Sequence, residues 1–159
     1  MSILVTGGTK GIGLEIACRF AKRGTDVFLN YATDQDAAAR AAQRVESLGA
    51  QAHLIRQDVG TPEGARAALQ AVADKTGRLD QLVHCAVRVL AEPSLTVDPH
   101  EFTKAINVNG TALLYLVQSA LPLLQRGSTV FYLTSRGGRT AIRNYAAVGA
   151  AKALAEALA

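Results

Sequence analysis

The chain has 159 residues, of which 49% are hydrophobic and 19% are charged. This is enough apolar material for one packed domain and excludes an intrinsically disordered segment. The formal net charge is +4 with no block of like charges, so we expect no nucleic-acid partner. No apolar run approaches the ~20 residues of a membrane-spanning helix, and the sequence begins with a strand-like segment rather than a leader. We therefore expect a cytoplasmic protein that does not bind membranes.

The first fourteen residues predict a site for a dinucleotide. An apolar run over residues 3–5 indicates a buried strand, and it leads into a loop with glycines at positions 7, 8, 11 and 13. A helical pattern begins within this loop. Glycines permit a tight turn, and the start of a helix offers free N–H groups to a phosphate. A flexible glycine-rich surface loop is the alternative interpretation.

Strand-like and helix-like segments alternate along the rest of the chain. Asp98 followed by Glu101 predicts a capping box at the start of one helix. Apolar periodicity, caps and glycine stops predict helices over residues 11–23, 34–48, 61–76, 98–122 and 145–159, strands over 26–31, 51–56, 79–85 and 128–134, and loops over 86–97 and 135–144.

This alternation predicts an α/β fold in which helices cover both faces of a parallel sheet. Right-handed crossovers and the glycine loop after the first strand favour a doubly wound sheet with strand order 3-2-1-4-5. Ligands of such sheets bind outside the carboxyl ends of the strands. The two cysteines, Cys18 and Cys85, have no zinc-site spacing, so we expect buried thiols and no metal site.

The residues after the second strand bear on the choice of coenzyme. A carboxylate at this point usually binds the ribose 2′-OH of NAD. Tyr31, Ala32 and Thr33 provide none, the first acid being Asp34, and Lys10 lies in the glycine loop. A cation with no anion opposite favours the 2′-phosphate of NADP(H) over NAD(H). After the third strand, we expect the Asp58 carboxylate to bind the adenine amino group and the Val59 side chain to pack on the ring.

Three motifs together resemble the short-chain dehydrogenase/reductase superfamily: Thr6-Gly7-Gly8-Thr9-Lys10-Gly11-Ile12-Gly13, Asp58-Val59 and Asn107-Val108-Asn109-Gly110. The resemblance covers the whole chain. It implies one NAD(P)-binding domain over residues 1–159, a Rossmann-type three-layer α/β/α fold. The coenzyme-binding positions that it implies are Gly7, Thr9, Lys10, Gly11, Ile12, Gly13, Tyr31, Ala32, Thr33, Asp58, Val59, Cys85, Ala86, Val87 and Lys152.

The residues at the start of the last helix indicate one group of enzymes within this superfamily. Most family members have a tyrosine four residues before the lysine, but here that residue is Val148 and the nearest tyrosine is Tyr145, seven residues before Lys152. This spacing resembles enoyl-acyl carrier protein reductases, and most closely the type III enzymes. Seven residues are nearly two helical turns, so both side chains project from one face. The resemblance implies that Tyr145 stabilises the enolate oxygen of an enoyl thioester and that Lys152 holds the coenzyme ribose.

Two further catalytic positions and one departure follow from the same comparison. Ser135 matches the family serine that supports a substrate carbonyl, and Asn107 matches an asparagine that organises a water chain to the lysine. The family's Asn-Asn-Ala-Gly after the fourth strand is replaced by His84-Cys85-Ala86-Val87. We expect backbone contacts to the coenzyme to survive here, the side-chain bonds that brace this strand to be lost, and His84 to be structural.

Several alternatives remain open. The substrate is an acyl thioester on acyl carrier protein or CoA under the first hypothesis, and another carbonyl or 3-oxoacyl compound under the second. A catalytically silent NADP-binding module is the third. Family members continue beyond this point, so we interpret the chain as the amino-terminal part of a longer reductase that lacks the last strands and the substrate loop. A natural truncation is the alternative interpretation. We expect a homodimer or homotetramer, formed through small residues of the last two helices or, alternatively, with these residues packed inside the subunit: Gly110, Ala112, Ala120, Gly149, Ala153 and Ala157.

Overall fold

The computed structural model describes residues 1–159. Its strands are β1 (Ser2–Thr6), β2 (Asp26–Tyr31), β3 (Gln51–Arg56), β4 (Leu79–His84) and β5 (Leu124–Tyr132). They form one parallel sheet, in which β1 lies between β2 and β4. The order along the sheet is β3-β2-β1-β4-β5, as the sequence predicted.

Helices cover both faces of this sheet and complete the predicted three-layer α/β/α fold. They are α1 (Gly11–Phe20), α2 (Gln35–Ser47), α3 (Pro62–Thr76), α4 (Pro99–Ile106), α5 (Ala112–Ala120) and α6 (Ala146–Leu158). A π turn, Asn107–Thr111, joins α4 to α5, and a short 3₁₀ turn, Arg136–Gly138, precedes α6. None of the helices combines the length and the apolar character needed to cross a bilayer.

The core lies in two layers because successive residues of each strand face opposite sides of the sheet. Leu4 and Phe28 face α3 and α5, whereas Ile3, Val5 and Val27 face α1 and α2. All five residues of β1 are buried. Since a central parallel strand is covered on both faces, its apolar run carries no alternation. The apolar segment at residues 3–5 is therefore the middle of the domain, and the glycine loop emerges from it.

Side chains cap the starts of α2, α3 and α4. The side chain of Asp34 accepts from the Ala37 amide, and Thr61 accepts from Gly64. Asp98 accepts from the amides of His100 and Glu101. The reciprocal half of the predicted capping box is absent, because the Glu101 carboxylate pairs with Arg88 and Lys104 instead.

The structure shows different bounds for two predicted elements, the first helix and the fifth strand. Helix α1 ends at Phe20 rather than at residue 23, because Ala21 is extended and its N–H closes the last turn on Ala17 and Cys18. Strand β5 begins at Leu124, four residues before the prediction, and ends at Tyr132. It contains a bulge where its register with β4 shifts, at which Gly127 has φ +95°. Thr134 and Ser135 therefore lie beyond the strand.

The small residues predicted as an oligomer surface are mostly used inside the chain. Ala112 and Ala120 are fully buried against the core. A Cβ on Gly110 would lie 2.7 Å from the carbonyl oxygen of Ala151, and one on Gly149 would lie 2.6 Å from that of Gly137. These positions let α6 pack closely on the π turn and on the 3₁₀ turn. Of the six, Ala153 and Ala157 are exposed.

Candidate active site at the carboxyl edge of the sheet

The glycine loop is packed so tightly that a Cβ would clash at Gly7, Gly8 and Gly13. Gly7 has φ +62°, and a Cβ there would lie 2.8 Å from the Cα of Ala86. A Cβ on Gly13 would lie 2.3 Å from the carbonyl oxygen of Gly7. The loop therefore closes on the first turn of α1 and on the end of β4. This close approach explains why glycine occurs at these positions.

Helix α1 begins without a side-chain cap, whereas α2, α3 and α4 each have one. Lys10 occupies the N-cap position in an extended conformation, and the first turn of α1 contains no acid. The first N–H groups of a helix have no partner within the helix. Those of Gly11, Ile12 and Gly13 are therefore available to an anion. Thr9 is buried beside them, and the Ile12 side chain is exposed.

Lys10 has an anionic partner, which corrects one sequence-based premise. Its ammonium pairs with the carboxylate of Asp34, and both groups are largely exposed. The hydrogen bond from Lys10, followed by that from the Ala37 amide, lowers the pKa of Asp34. The absence of a carboxylate at residues 31–33 therefore does not leave Lys10 unpaired. Ala32 and Thr33 are exposed, while Tyr31 is buried and its hydroxyl contacts Gln35.

The segment after β3 agrees with the prediction only in part. Asp58 is exposed, and its Oδ1 accepts from the Gly60 amide at 2.9 Å. The Val59 side chain is only 3% exposed and belongs to the core beside α3. It therefore offers almost no surface to an adenine ring, and the predicted packing of this valine on the ring is not supported.

His84 joins the end of β4 to two other elements. Its Nδ1 lies 2.8 Å from Oγ1 of Thr6, and its Nε2 lies 3.1 Å from the carbonyl oxygen of Val108. Burial, followed by the nearby charge of Lys152, lowers the pKa of His84 to about 4. The ring is therefore neutral near pH 7. Because Val108 O can only accept, we assign the proton to Nε2, which leaves Nδ1 to accept from the Thr6 hydroxyl.

The same threonine also binds the backbone that follows β4. Thr6 Oγ1 accepts from the amides of Cys85 and Ala86, both at 3.1 Å. The prediction that the bracing of this strand is lost is therefore wrong, since His84 and Thr6 supply it. The prediction that His84 is structural agrees with these contacts. Cys85 is half-buried, and burial raises the pKa of its thiol.

The segment after β4 is held by a residue that sequence reasoning did not select. Asn109 is fully buried, its Oδ1 accepts from the Arg88 amide at 2.8 Å, and its Nδ2 donates to the Arg88 carbonyl at 2.9 Å. Ala86 and Val87, both predicted to contact the coenzyme, are thereby presented at the edge, and Val87 is 54% exposed. The position of Asn109 within the Asn-Val-Asn-Gly motif was the available signal.

Asn107 lies at the first residue of the π turn and is partly exposed. Its carbonyl oxygen accepts from the Ala112 amide, five residues later. A π turn inside a helix widens the backbone and is frequent at functional sites. The turn packs against α6, the helix that carries Lys152.

Ser135 and Tyr145, which the sequence predicts separately, are brought together. The Ser135 Oγ lies 3.3 Å from the Tyr145 hydroxyl and also accepts from the Gly137 amide at 3.2 Å. The tyrosine ring lies against Gly137, where a Cβ would be 2.4 Å from the ring. Asn144, with φ +58°, turns the chain just before it. Two hydroxyl groups within reach of one another can bind one substrate oxygen.

Lys152 lies on α6, seven residues after Tyr145, and is only 7% exposed. Its Nζ donates to the carbonyl oxygen of Leu133 at 2.5 Å and lies 4.6 Å from the centroid of the Tyr132 ring. Burial lowers the pKa of the ammonium. A lysine held by a neutral carbonyl and an aromatic face keeps donors for a further ligand.

One more unpredicted residue fixes the loop that carries Ser135. Glu156 follows Lys152 by one helical turn, and its Oε1 accepts from the Thr134 hydroxyl at 2.5 Å. Its Oε2 accepts from Nε of Arg139 at 2.9 Å. The two carboxylate oxygens thus hold both sides of the 3₁₀ turn against α6. Nothing in the local sequence indicated this contact, because its partners are 17 and 22 residues away.

Comparison with known proteins defines the class. Residues 7–159 match the model of a family described as enoyl-(acyl carrier protein) reductase. The chain belongs to the short-chain dehydrogenase/reductase superfamily, as the motifs and the fold indicate.

Individual relatives share the fold but act on different compounds. The chain is 33% identical over 153 residues to a 1-cyclohexenylcarbonyl-CoA reductase of Streptomyces collinus, and the match spans 96% of this chain and 55% of the relative. The structure of an angucycline C-6 ketoreductase with bound NADP aligns with TM-score 0.90 and 30% identity over 99% of this chain and 64% of that one. A short-chain dehydrogenase of Burkholderia cenocepacia in complex with NADP aligns with TM-score 0.89 and 31% identity over 96% and 62%. The chain therefore spans about half the length of the first of these, a curated relative.

Proposed function

We propose that this chain is the coenzyme-binding and catalytic part of an NADPH-dependent oxidoreductase that reduces the 2,3 double bond of an enoyl thioester. The observation that carries the proposal is the distance of 3.3 Å between the Tyr145 hydroxyl and the Ser135 Oγ. Lys152 follows Tyr145 by seven residues and is buried. In this proposal Tyr145 and Ser135 supply a pair of donors for one substrate oxygen, and Lys152 supplies a positive charge.

The glycine loop fits a dinucleotide. The uncapped start of α1 offers N–H groups, and the positions where a Cβ would collide leave the backbone itself as the binding surface. We assign the pyrophosphate to this turn, the adenine to the Asp58 carboxylate, and the ribose next to the nicotinamide to Lys152. NADPH, when bound, supplies a hydride. The remaining contacts are assigned to the backbone of residues 85–87.

Tyr145 acts on the substrate oxygen in this proposal. As a hydride reaches the β-carbon of an enoyl thioester, negative charge develops on the thioester oxygen. A hydroxyl aimed at that oxygen stabilises the charge and can supply a proton. Ser135 adds a second hydrogen bond and keeps the tyrosine in place. The positive charge of Lys152 attracts the negative charge that develops on this oxygen. The attraction is stronger in a buried site, because the dielectric constant there is low.

A ketone or 3-oxoacyl substrate is the second candidate, and the same hydroxyl pair supports it. Two hydroxyl groups on one oxygen also suit direct carbonyl reduction, and one of the aligned structures is that of a ketoreductase. The seven-residue spacing favours the enoyl thioester, as does the name of the Streptomyces relative. A silent coenzyme-binding module is the third candidate, and it would bind NADPH without oxidising it.

The coenzyme preference and the partners are also proposals. Lys10 supports NADP(H) over NAD(H), provided that the 2′-phosphate replaces Asp34 as its partner. The acyl group would be presented on acyl carrier protein or CoA. We propose a cytoplasmic homodimer or homotetramer, in which the exposed Ala153 and Ala157 remain available for contact.

The test is NADPH oxidation by the complete gene product. Crotonyl-CoA and acetoacetyl-CoA are offered in parallel, with NADH as the alternative coenzyme. We expect oxidation with crotonyl-CoA and NADPH, and a loss of about 10²-fold or more in kcat for Tyr145→Phe with little change in NADPH affinity. Tyr115→Phe, on α5, is the matched control. Faster reaction of acetoacetyl-CoA would favour the ketone reductase, and NADPH binding without any oxidation would favour the silent module.

A further inference from the structure

Tyr132, the last residue of β5, has no role in the proposed mechanism but contacts three elements of the site. Its ring centroid lies 5.6 Å from that of His84 on β4. The Lys152 Nζ of α6 lies 4.6 Å from the ring centroid. Its hydroxyl donates to the carbonyl oxygen of Asn109 in the π turn at 2.5 Å. One half-buried side chain thus joins β4, α6 and the π turn.

The contact with Lys152 concerns a buried charge. None of the ion pairs in the structure includes this lysine. One of its three N–H donors is used by the Leu133 carbonyl. An aromatic face stabilises a nearby cation through its quadrupole and accepts no conventional hydrogen bond. A carboxylate in place of Tyr132 would capture the remaining donors, whereas the ring leaves them free for ribose hydroxyls.

The contact with Asn109 concerns the backbone that carries Asn107. In the π turn the Ala112 amide bonds to Asn107, five residues earlier, so the ordinary helical pairing is displaced by one residue. Two consecutive carbonyl oxygens of this turn accept hydrogen bonds from side chains of the sheet. Val108 O accepts from His84 at 3.1 Å, and Asn109 O accepts from Tyr132 at 2.5 Å.

We propose that Tyr132 is a positioning residue for both Lys152 and the π turn: its ring face holds the ammonium, and its hydroxyl holds the carbonyl of Asn109. The inference rests on the proposed function for the roles of Lys152 and Asn107. The two contacts act together because a displaced ring would release the lysine and the turn at once. Tyr132 does not touch the reacting atoms in this scheme.

The groups around Lys152 define what a titration would report. His84 and Cys85 face it from the end of β4, and Tyr132 faces it from β5. On α6, Glu156 lies one turn further on and is bound to Thr134 and Arg139. Burial already lowers the pKa of the ammonium. Removal of the ring face destabilises the charged form and should lower this pKa further.

The experiment compares Tyr132→Phe with Tyr132→Met in the complete gene product. The pKa of the Lys152 ammonium is measured by NMR of ¹⁵N-labelled lysine, assigned with Lys152→Arg, and NADPH affinity is measured by fluorescence without substrate. The phenylalanine variant should keep both values. The methionine variant should lower the pKa by about one unit and weaken NADPH binding roughly ten-fold. The phenylalanine variant should still exchange the amide hydrogens of residues 107–112 faster, because the bond to Asn109 is lost.

Equal lysine pKa values in the wild-type protein and the methionine variant would overturn the role of the ring. Unchanged exchange in the phenylalanine variant would overturn the role of the hydroxyl. If the methionine variant does not fold, phenylalanine at position 132 is compared with ring-fluorinated phenylalanine. Fluorination keeps the shape of the ring but weakens the negative potential of its face. Equal pKa values of Lys152 in these two variants would likewise overturn the role of the ring. Tyr115→Met is the matched control. Wild-type protein that reduces no enoyl thioester contradicts the proposed function, while both readouts still test Tyr132.

Discussion

The Nε2 of His84 donates to the carbonyl oxygen of Val108 at 3.1 Å, so one side chain connects the end of a central strand to the π turn between α4 and α5. Its other nitrogen accepts from Thr6, which in turn holds the first two amides after β4. The glycine loop, the end of β4 and the π turn are therefore one hydrogen-bonded unit. A substitution of His84 should therefore disturb the glycine loop, the end of β4 and the π turn.

The first prediction concerns stability and pH. The pKa of His84 is about 4 in the folded chain and about 6.5 in the unfolded chain. The unfolded state therefore binds more protons between these values, and stability falls as the pH drops through this window. The full effect is on the order of 3 kcal/mol. The free energy of unfolding in urea should therefore be lower at about pH 5 than at about pH 7 by a large part of this amount. Carboxylates contribute little to the difference, because they are still mostly ionised at about pH 5.

The control for this effect is His84→Gln, which cannot titrate. The variant should be less stable at about pH 7, because at most one of the two bonds is kept, but its stability should change less between the two pH values. An equal pH dependence in the variant and the wild-type protein would assign the effect to other groups.

The second prediction concerns the packing of the glycine loop. Gly13→Ala places a Cβ 2.3 Å from the carbonyl oxygen of Gly7, so the loop must open. NADPH affinity, measured by fluorescence titration, should fall at least ~10-fold, because the N–H groups of α1 lose their arrangement. Gly77→Ala is the control: it has φ +62° with no neighbour within 4 Å, and it should cost about 1 kcal/mol of stability without altering NADPH affinity.

The third prediction concerns the coenzyme preference. Asp34→Asn removes the negative charge beside Lys10, while an asparagine still caps α2. Affinity for NADPH should rise several-fold, and affinity for NADH should change little, because only the 2′-phosphate competes with this carboxylate. Isothermal titration calorimetry measures the affinity of the wild-type protein and the variant for both coenzymes. Asp36→Asn, in the first turn of α2, is the matched control and should alter neither affinity. An equal increase in affinity for NADH and NADPH would contradict the proposal that Lys10 binds the 2′-phosphate.

The fourth prediction concerns Glu156. Glu156→Ala removes the acceptors of Thr134 and Arg139, so the 3₁₀ turn loses its attachment to α6 and Ser135 is displaced from Tyr145. Under the proposed function, kcat should fall roughly ten-fold through this loss of orientation, with NADPH affinity retained. Steady-state kinetics and NADPH titration separate the two. Glu15→Ala removes a comparable exposed pair with Arg44 and should leave kcat unchanged.

The element order and the strand order could be predicted from the sequence because their signals are local. Caps at Asp34 and Thr61 act within three residues of the helix start. The apolar run of β1 and the glycine loop are contiguous. A parallel sheet brings every carboxyl end to one edge, which is why the sequence alone could select candidates as distant as Gly7 and Ser135.

The start of β5 could not be predicted, because the bulge depends on pairing with β4. Ser128 donates its hydroxyl to the Leu79 carbonyl, and this contact has no signature in the local sequence. The orientation of Val59 and the partner of Lys10 were missed for the same reason.

The sequence by itself determined the class of fold, the edge at which ligands would bind and the spacing of Tyr145 from Lys152, because these follow from periodicity, turn chemistry and motif. Only the tertiary structure decided what surrounds them. The bond between Thr6 and His84 joins residues 78 apart in the chain, and the bond between Lys152 and Leu133 joins residues 19 apart. Such contacts depend on how the elements pack against one another, and local sequence carries no record of which side chains then meet.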